Sequence, residues 1–226
     1  RQNVLLDTAS RHAILLNAQS GRVLAQKRAD ERTAPASLTK MMTVLLAIEA
    51  EPDLDKQVTL PEDIFPALQT EKASMAGFVP DETVTVRDLL YGAMLPSGAE
   101  CCEALAQLVS GSEENFAALM NQKAAELGME NTNFACCAGL DNEGHYSTAR
   151  DIALMSRALL RYPKITDYTT IWMDTLRNGA TSLVNTNRLV RFYQGATGLK
   201  TGTTGKAGVC ISASAERDGV EYIAVV

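Results

Sequence analysis

The sequence predicts a mixed α+β fold (α/β in the broad sense), with one antiparallel sheet built from both chain ends and a helical lobe inserted between them. Segments of β propensity lie within residues 1–30 and again within residues 180–226, whereas residues 55–165 show helical periodicity. The chain has 226 residues, 46% of them apolar, which suits a single domain over residues 1–226.

The predicted strands occupy the two ends of the chain. Residues 11–28 are typical of a hairpin, with its turn at residues 19–21. The C-terminal candidates are residues 184–190, 198–201, 209–215 and 220–226. Because the last candidate stops in the middle of a strand pattern, we expect the natural protein to continue beyond Val226.

The predicted helices have recognisable starts and stops. The first carries five apolar residues at helical spacing on one face, and Pro52 ends it. Those apolar residues are Leu38, Met41, Met42, Leu45 and Leu46. Capping residues and glycine or proline stops delimit four more helices, at residues 86–95, 99–109, 112–127 and 148–162.

Composition and charge exclude several classes of function. A net charge of -6 disfavours a nucleic-acid partner, which requires basic surfaces. The longest apolar run, residues 41–48, is too short to span a membrane. Five cysteines without a CxxC spacing, and only two histidines, predict no metal site, and nothing implies an organic cofactor.

Ser37 and Lys40 are the first candidates for catalysis. They are three residues apart at the start of a predicted helix, so their side chains share one face. A serine hydroxyl becomes a nucleophile when a base lies within hydrogen-bond reach. A lysine serves as that base once an apolar setting or a nearby cation lowers its pKa. The alternative is a serine N-cap followed by a solvated lysine.

Two further motifs qualify as parts of a site. Lys200-Thr201-Gly202-Thr203 lies on a predicted strand, where lysine and threonine side chains can bind a carboxylate and glycine permits close approach. Ser97 lies in a loop between two predicted helices, which can direct a hydroxyl into a cleft. The alternatives are a Gly-rich hairpin with an exposed lysine and a simple helix connector.

Taken together and in this order, the motifs resemble those of the penicillin-recognising serine enzymes. The chain is most similar to the low-molecular-mass D-alanyl-D-alanine carboxypeptidases, and the similarity covers nearly all of it. It rests on the segments PASLTKMMT (35–43), HYSTARD (145–151) and GLKTG (198–202). The resemblance implies a β-lactamase/D,D-peptidase-like fold that forms one catalytic domain.

The resemblance assigns catalytic roles to three residues. Ser37 would attack the carbonyl between two D-alanines and become acylated, and Lys40 would accept its proton. Ser97 would pass a proton to the departing D-alanine. The implied partners are peptidoglycan stem peptides that end in D-Ala-D-Ala and the β-lactam antibiotics.

The resemblance assigns substrate binding to the third motif. Lys200, with Thr201 and Thr203, would hold the terminal carboxylate, and Gly202 would let the substrate approach the strand. The N–H groups of Ser37 and Thr203 would form the oxyanion hole. The family acts outside the cytoplasmic membrane, secreted or on its outer face. Peripheral membrane anchoring would require a segment that is not in this sequence.

Two positions depart from the family pattern. Ala99 stands where the family usually has Asn, so a hydrogen-bonding group next to the catalytic lysine is missing. This predicts weaker acylation or altered substrate choice, and Glu100 is a candidate to compensate. Cys136 and Cys137 replace what is often Asn-Pro, and both a local disulfide and plain packing stay open.

Two other functions stay open. A β-lactamase would need a deacylating group, and no Glu-x-x-Leu-Asn segment lies between Ser97 and Lys200. The missing Asn is also consistent with a degenerate, non-catalytic protein that only binds cell-wall peptide.

Overall fold

A computed structural model describes residues 4–226, with a six-stranded sheet at its centre. The strands are β1 (Val4–Leu5), β2 (Ala13–Asn17), β3 (Val23–Lys27), β4 (Gln57–Thr59), β5 (Thr83–Thr85), β6 (Met173–Leu176), β7 (Thr181–Val184), β8 (Ala196–Thr204), β9 (Gly208–Arg217) and β10 (Val220–Val225). The helices are α1 (Lys40–Ala50), α2 (Phe65–Thr70), α3 (Val86–Met94), α4 (Ala99–Ser110), α5 (Glu113–Glu126), α6 (Ala149–Leu159), α7 (Pro163–Thr169) and α8 (Leu189–Phe192).

The sheet has the order β1-β3-β2-β10-β9-β8, so strands from both chain ends meet where β2 pairs with β10. This confirms the predicted fold class, and α3 to α6 lie in the chain between the two sets of strands. One pair at the edge of this antiparallel sheet departs from the pattern, because β1 pairs with β3 in parallel. The division into a sheet from residues 1–30 and 180–226 and a helical lobe over residues 55–165 stays a prediction.

The predicted strand over residues 184–190 is wrong. Only Val184 belongs to a strand, which pairs with β6 in a separate two-stranded sheet, and Leu189 begins α8. The side chain of Asn185 accepts from the N–H of Asn187 at 2.9 Å, and the side chain of Asn187 accepts from the N–H of Leu189 at 3.1 Å. Such local bonds compete with a strand ladder and turn the chain between the two elements.

The predicted helix starts are confirmed at their caps. Thr85 and Asp88 form the capping box of α3, and the Thr148 hydroxyl accepts from the N–H of Asp151 at the start of α6. The last predicted helix ends earlier than expected, at Leu159, and α7 follows from Pro163. No helix in residues 4–226 is long and apolar enough to cross a membrane.

Helix α1 is buried on all sides, whereas the sequence pattern predicted one buried face. The consecutive residues Met41, Met42, Thr43 and Val44 point to all sides of the helix, and each is 0% exposed. The helix packs against α3, α4, α5 and α6, which together enclose it. It follows a 3-10 turn at Ala36–Thr39, and this turn packs against β8 and β9. The start of α1 is therefore held between the helices and the sheet.

Candidate active site

Ser37 and Lys40 face each other across the turn that leads into α1. The Nζ atom of Lys40 lies 2.8 Å from Oγ of Ser37 and donates to the carbonyl of Ala138, also at 2.8 Å. Lys40 is only 2% exposed, and this burial lowers its pKa. A neutral amine at this distance can accept a hydroxyl proton, so the pair has the geometry and electrostatics of a nucleophile with its base.

Two glycines bring other segments against the backbone of Ser37. Gly139 has a φ of +90°, and a Cβ at this position would lie 1.9 Å from the carbonyl oxygen of Ala36. A Cβ at Gly202 would lie 3.0 Å from the backbone nitrogen of Ser37. Only glycine permits such approaches without displacement. Residues 136–139 and strand β8 therefore both border the nucleophile.

Strand β8 carries the Lys-Thr-Gly motif. Lys200 is 1% exposed, and its Nζ donates to the carbonyl of Thr201 at 3.0 Å. Burial, and secondarily the charge of Lys40, lower the pKa of Lys200 to about 7. The hydroxyl of Thr201 bonds that of Thr186 at 2.5 Å, so a residue outside the motif positions it.

A cavity of about 570 Å³ opens in front of Ser37. Ser37, Lys40, Ala99 and Thr203 all line it, so the structure brings these four together. Lys200 lies behind the lining, within the buried side of the same strand. The cavity thus brings the hydroxyl of Ser37 and the amine of Lys40 together with Thr203 and Thr204 of β8.

Ser97 is buried beside this cavity but outside its lining. It has a φ of +70° and is 5% exposed, and its Oγ has no hydrogen-bond partner among residues 4–226. Its carbonyl accepts from the hydroxyl of Ser74 at 2.5 Å, which fixes the loop between α3 and α4. Because its hydroxyl bonds neither Lys40 nor Lys200 here, the role of Ser97 in proton transfer stays a prediction.

Glu100 does not replace the Asn that Ala99 lacks. Its Oε1 atom accepts from the N–H groups of Ala76, Gly77 and Phe78 at 2.7, 2.9 and 3.3 Å. Burial raises the pKa of this carboxyl, despite the three donors. The side chain is therefore committed to holding residues 76–78 against α4, and it does not reach the catalytic pair.

Sequence reasoning missed two residues that support the site. Nδ1 of His145 accepts from the N–H of Ala135 at 3.0 Å, so Nε2 carries the proton and donates to the Thr39 hydroxyl at 2.8 Å. Burial lowers the pKa of His145 to about 4. Asp141 accepts from the hydroxyl of Thr204 at 2.7 Å. His145 lies in the segment HYSTARD (145–151), and this position was the one sign in the sequence that it could support the site. No sequence pattern pointed to Asp141.

The cysteines pack as single thiols. All five are free, so the structure takes the packing alternative for Cys136 and Cys137 rather than a local disulfide. Cys101, Cys102 and Cys137 are each 0% exposed, as expected of small apolar side chains.

The comparisons with known proteins identify the family of the chain. Residues 2–226 match the model of the family described as D-alanyl-D-alanine carboxypeptidase. The chain belongs to this family. Among D-alanyl-D-alanine carboxypeptidases, DacF of Bacillus subtilis is 44% identical over 225 residues, covering 96% of this chain and 57% of that protein. The enzyme of Streptomyces sp. K15 is 34% identical over 227 residues, covering 93% of this chain and 78% of that protein.

Solved structures support the same fold. The crystal structure of the Streptomyces K15 DD-transpeptidase superposes with a TM-score of 0.91 and 30% identity, covering 99% of this chain and 91% of that one. The D-alanyl-D-alanine carboxypeptidase DacD of Francisella tularensis superposes with a TM-score of 0.89 and 26% identity, covering all of this chain and 67% of that one. The chain spans a little over half the length of DacF.

Proposed function

We propose that this chain is the catalytic domain of a serine D,D-carboxypeptidase that removes the terminal D-alanine from peptidoglycan stem peptides and that penicillins acylate. The observation that carries the proposal is the contact of 2.8 Å between buried Lys40 and Ser37, at the base of a cavity bordered by β8. Membership of the D-alanyl-D-alanine carboxypeptidase family supports it. Since the chain spans only part of its relatives, the activity of the whole protein belongs to the proposal.

Acylation would begin at the hydroxyl of Ser37. Its oxygen attacks the carbonyl carbon between the two D-alanines as Lys40 accepts the hydroxyl proton. The oxyanion that forms accepts from the N–H groups of Ser37 and Thr203. The proton then passes, with the help of Ser97, to the nitrogen of the leaving D-alanine as the C–N bond breaks. Water hydrolyses the resulting ester and regenerates Ser37.

Lys200 would bind the terminal carboxylate together with Thr201 and Thr203. A carboxylate that forms an ion pair with Lys200 stabilises the protonated amine. It thereby raises the pKa of Lys200 above the value of about 7 in the free site. Lys200 would therefore be charged whenever the substrate is bound, as its binding role requires.

The family acts on peptidoglycan, so we place this activity outside the cytoplasmic membrane, on a secreted or surface-held protein. Peripheral anchoring through a segment outside this chain stays a prediction of the resemblance.

The test is covalent labelling by benzylpenicillin, followed by mass spectrometry of the intact protein and its peptides. We expect one adduct, on the peptide that contains Ser37, and none in Ser37→Ala. Ser20→Ala, which changes an exposed turn serine, is the matched control and should be labelled normally. An adduct that persists in Ser37→Ala would refute the proposal.

A second assay separates the peptidase from a β-lactamase. We expect D-alanine release from a diacetyl-Lys-D-Ala-D-Ala peptide together with slow, near-stoichiometric reaction with nitrocefin. Fast multiple turnover of nitrocefin without D-alanine release would favour the β-lactamase.

A further inference from the structure

Three proton-binding groups meet outside the lining of the active-site cavity. They are Glu103 of α4, Glu113 of α5 and Cys137, and one carboxylate oxygen of each glutamate and the Sγ atom of Cys137 lie within 4.8 Å of one another. Cys137 is 0% exposed, whereas the two glutamates are half-buried. None of the three belongs to the motifs that predicted the active site.

A short chain of hydrogen bonds connects this cluster to Lys40. Glu113 accepts from the N–H of Cys137 at 3.0 Å, and the carbonyl of Cys137 accepts from the hydroxyl of Thr43 at 2.7 Å. The carbonyl of the next residue, Ala138, accepts from Nζ of Lys40 at 2.8 Å. Glu113 therefore holds the segment whose carbonyl orients the catalytic base.

The surroundings of the two glutamates are acidic. They line a cavity of about 410 Å³, next to the active-site cavity, together with Asp63, Glu71 and Asp141. In the described part of the chain no lysine or arginine lines this cavity, and Cys102 of α4 is a further ionisable neighbour of Glu103. Burial, and then the charge of Glu113, raise the pKa of Glu103 to about 7. Two such carboxyls are most stable with one proton between them.

We propose that Glu103 and Glu113 share one proton and act as positioning residues that hold residues 137–138 where the Ala138 carbonyl fixes Lys40. The role of Lys40 as the base rests on the function proposed above. When the pair loses its shared proton, the two carboxylates repel each other and Glu113 is displaced from the N–H of Cys137. Lys40 then loses its orientation, so acylation of Ser37 declines. It does so even though a larger fraction of the Lys40 amine is neutral at the higher pH.

The test is the pH profile of the rate constant for acylation by benzylpenicillin, from about pH 5.5 to about pH 9. We expect the wild-type profile to decline above about pH 7. Glu103→Gln keeps a permanent donor to Glu113, so its profile should decline less steeply than that of the wild type, and the decline that remains is that of Lys200. Glu113→Ala should acylate about tenfold more slowly at every pH, because the N–H of Cys137 loses its acceptor.

Two variants separate positioning from folding. Glu113→Gln retains an oxygen that accepts from the N–H of Cys137, so it should recover most of the rate lost in Glu113→Ala. Glu114→Gln, at an exposed neighbour on the same helix, should follow the wild-type profile. Hydrogen exchange of the Cys137 amide reports on the same bond without any reaction. Its protection factor, the intrinsic exchange rate divided by the observed rate, should fall above about pH 7 in the wild type and in Glu114→Gln, but not in Glu103→Gln.

Several outcomes would overturn the inference. The positioning role is refuted if Glu103→Gln has the same pH profile as the wild type, or if Glu113→Ala is acylated at the wild-type rate. Neither result contradicts the proposed function. A decline that EDTA abolishes would mean that the three groups hold a cation instead of a proton. A wild-type protein that is never acylated, yet shows the expected exchange at Cys137, refutes the proposed function instead.

Discussion

At the scale of single residues, the proposed reaction gives two buried lysines opposite tasks. Lys40 would have to be neutral to accept a proton, whereas Lys200 would have to be charged to bind a carboxylate. Burial lowers the pKa of both, and each contacts a backbone carbonyl, Ala138 for the first and Thr201 for the second. Of these two lysines, Lys40 also contacts the hydroxyl of Ser37, and this contact is the reason for proposing it as the base.

Lys40→Arg tests the requirement for a neutral base. An arginine stays protonated at every usable pH, so it cannot accept the proton of Ser37. We expect acylation by benzylpenicillin to slow by about 10²- to 10⁴-fold, the usual contribution of a general base. Lys206→Arg, at an exposed lysine of the β8–β9 turn, should react normally. An arginine variant that acylates at the normal rate would exclude Lys40 as the base.

Ala99→Asn tests the departure from the family pattern. Ala99 lines the active-site cavity, and the carboxylate of Glu100 is bound to residues 76–78. Neither side chain therefore provides the hydrogen-bonding group of the Asn that the family usually has here. Restoring it should speed acylation about tenfold, which corresponds to about one hydrogen bond in the transition state. Stopped-flow measurement with benzylpenicillin gives this rate. A slower variant would show that the alanine is an adaptation to this cavity.

At the scale of elements, the site depends on loops that are clamped to helices. Residues 74–78 are fixed to the start of α4 by Glu100, which accepts three backbone N–H groups, and by the hydroxyl of Ser74. This clamp holds Ser97 and Ala99 in place, since both lie at the same junction. Hydrogen bonds from side chains to the backbone therefore hold this part of the site in place, in addition to apolar contacts.

Glu100→Ala should destabilise this junction. Three N–H groups, two of them on buried residues, would lose their acceptor, so we expect a loss of about 2–4 kcal/mol in the free energy of unfolding by urea. Glu114→Ala, on the exposed surface of α5, should change it by less than about 0.5 kcal/mol. Equal stability of the two variants would mean that water replaces the carboxylate in the loop.

At the scale of the whole molecule, the sheet closes only when the two ends of the chain meet. Strand β10 pairs with β2 on one side and with β9 on the other, and α6 packs across these strands. Residues 13–17 are thus bound to residues 220–225, and α1 is enclosed in the middle. Long-range contacts of this kind make the stability of the domain a cooperative property.

His145 makes this stability dependent on pH. Its pKa is about 4 in the folded protein and about 6.5 when unfolded, so the unfolded state binds more protons between these values. Stability is therefore complete above about pH 6.5 and declines as the pH falls towards 4, by about 3 kcal/mol in all.

His145→Gln should remove this decline, because a glutamine offers one acceptor and one donor without a charge. Urea unfolding at about pH 4.5 and about pH 6.5 measures the difference, with His12→Gln as the control. A decline of the same size in both variants would assign the acid sensitivity to other groups.

The sequence by itself determined the features that depend on neighbouring residues. The caps at Thr85 and Thr148, the hairpin strands β2 and β3, and the spacing of Ser37 and Lys40 all follow from positions within one or two turns or strands. Residues 184–190 had strand-forming composition, but asparagine side chains bent the chain there. Composition alone does not report such bonds.

The tertiary structure decided which distant groups complete the site. Lys40 and Ala138 are 98 residues apart in the chain, Thr39 and His145 are 106 apart, and Glu113 reaches Cys137 only once α5 has packed. Capping and spacing act along the chain, and they predict the nucleophile and its base. The contacts that bury and orient the base arise from packing between segments, and no local pattern in the sequence specifies them.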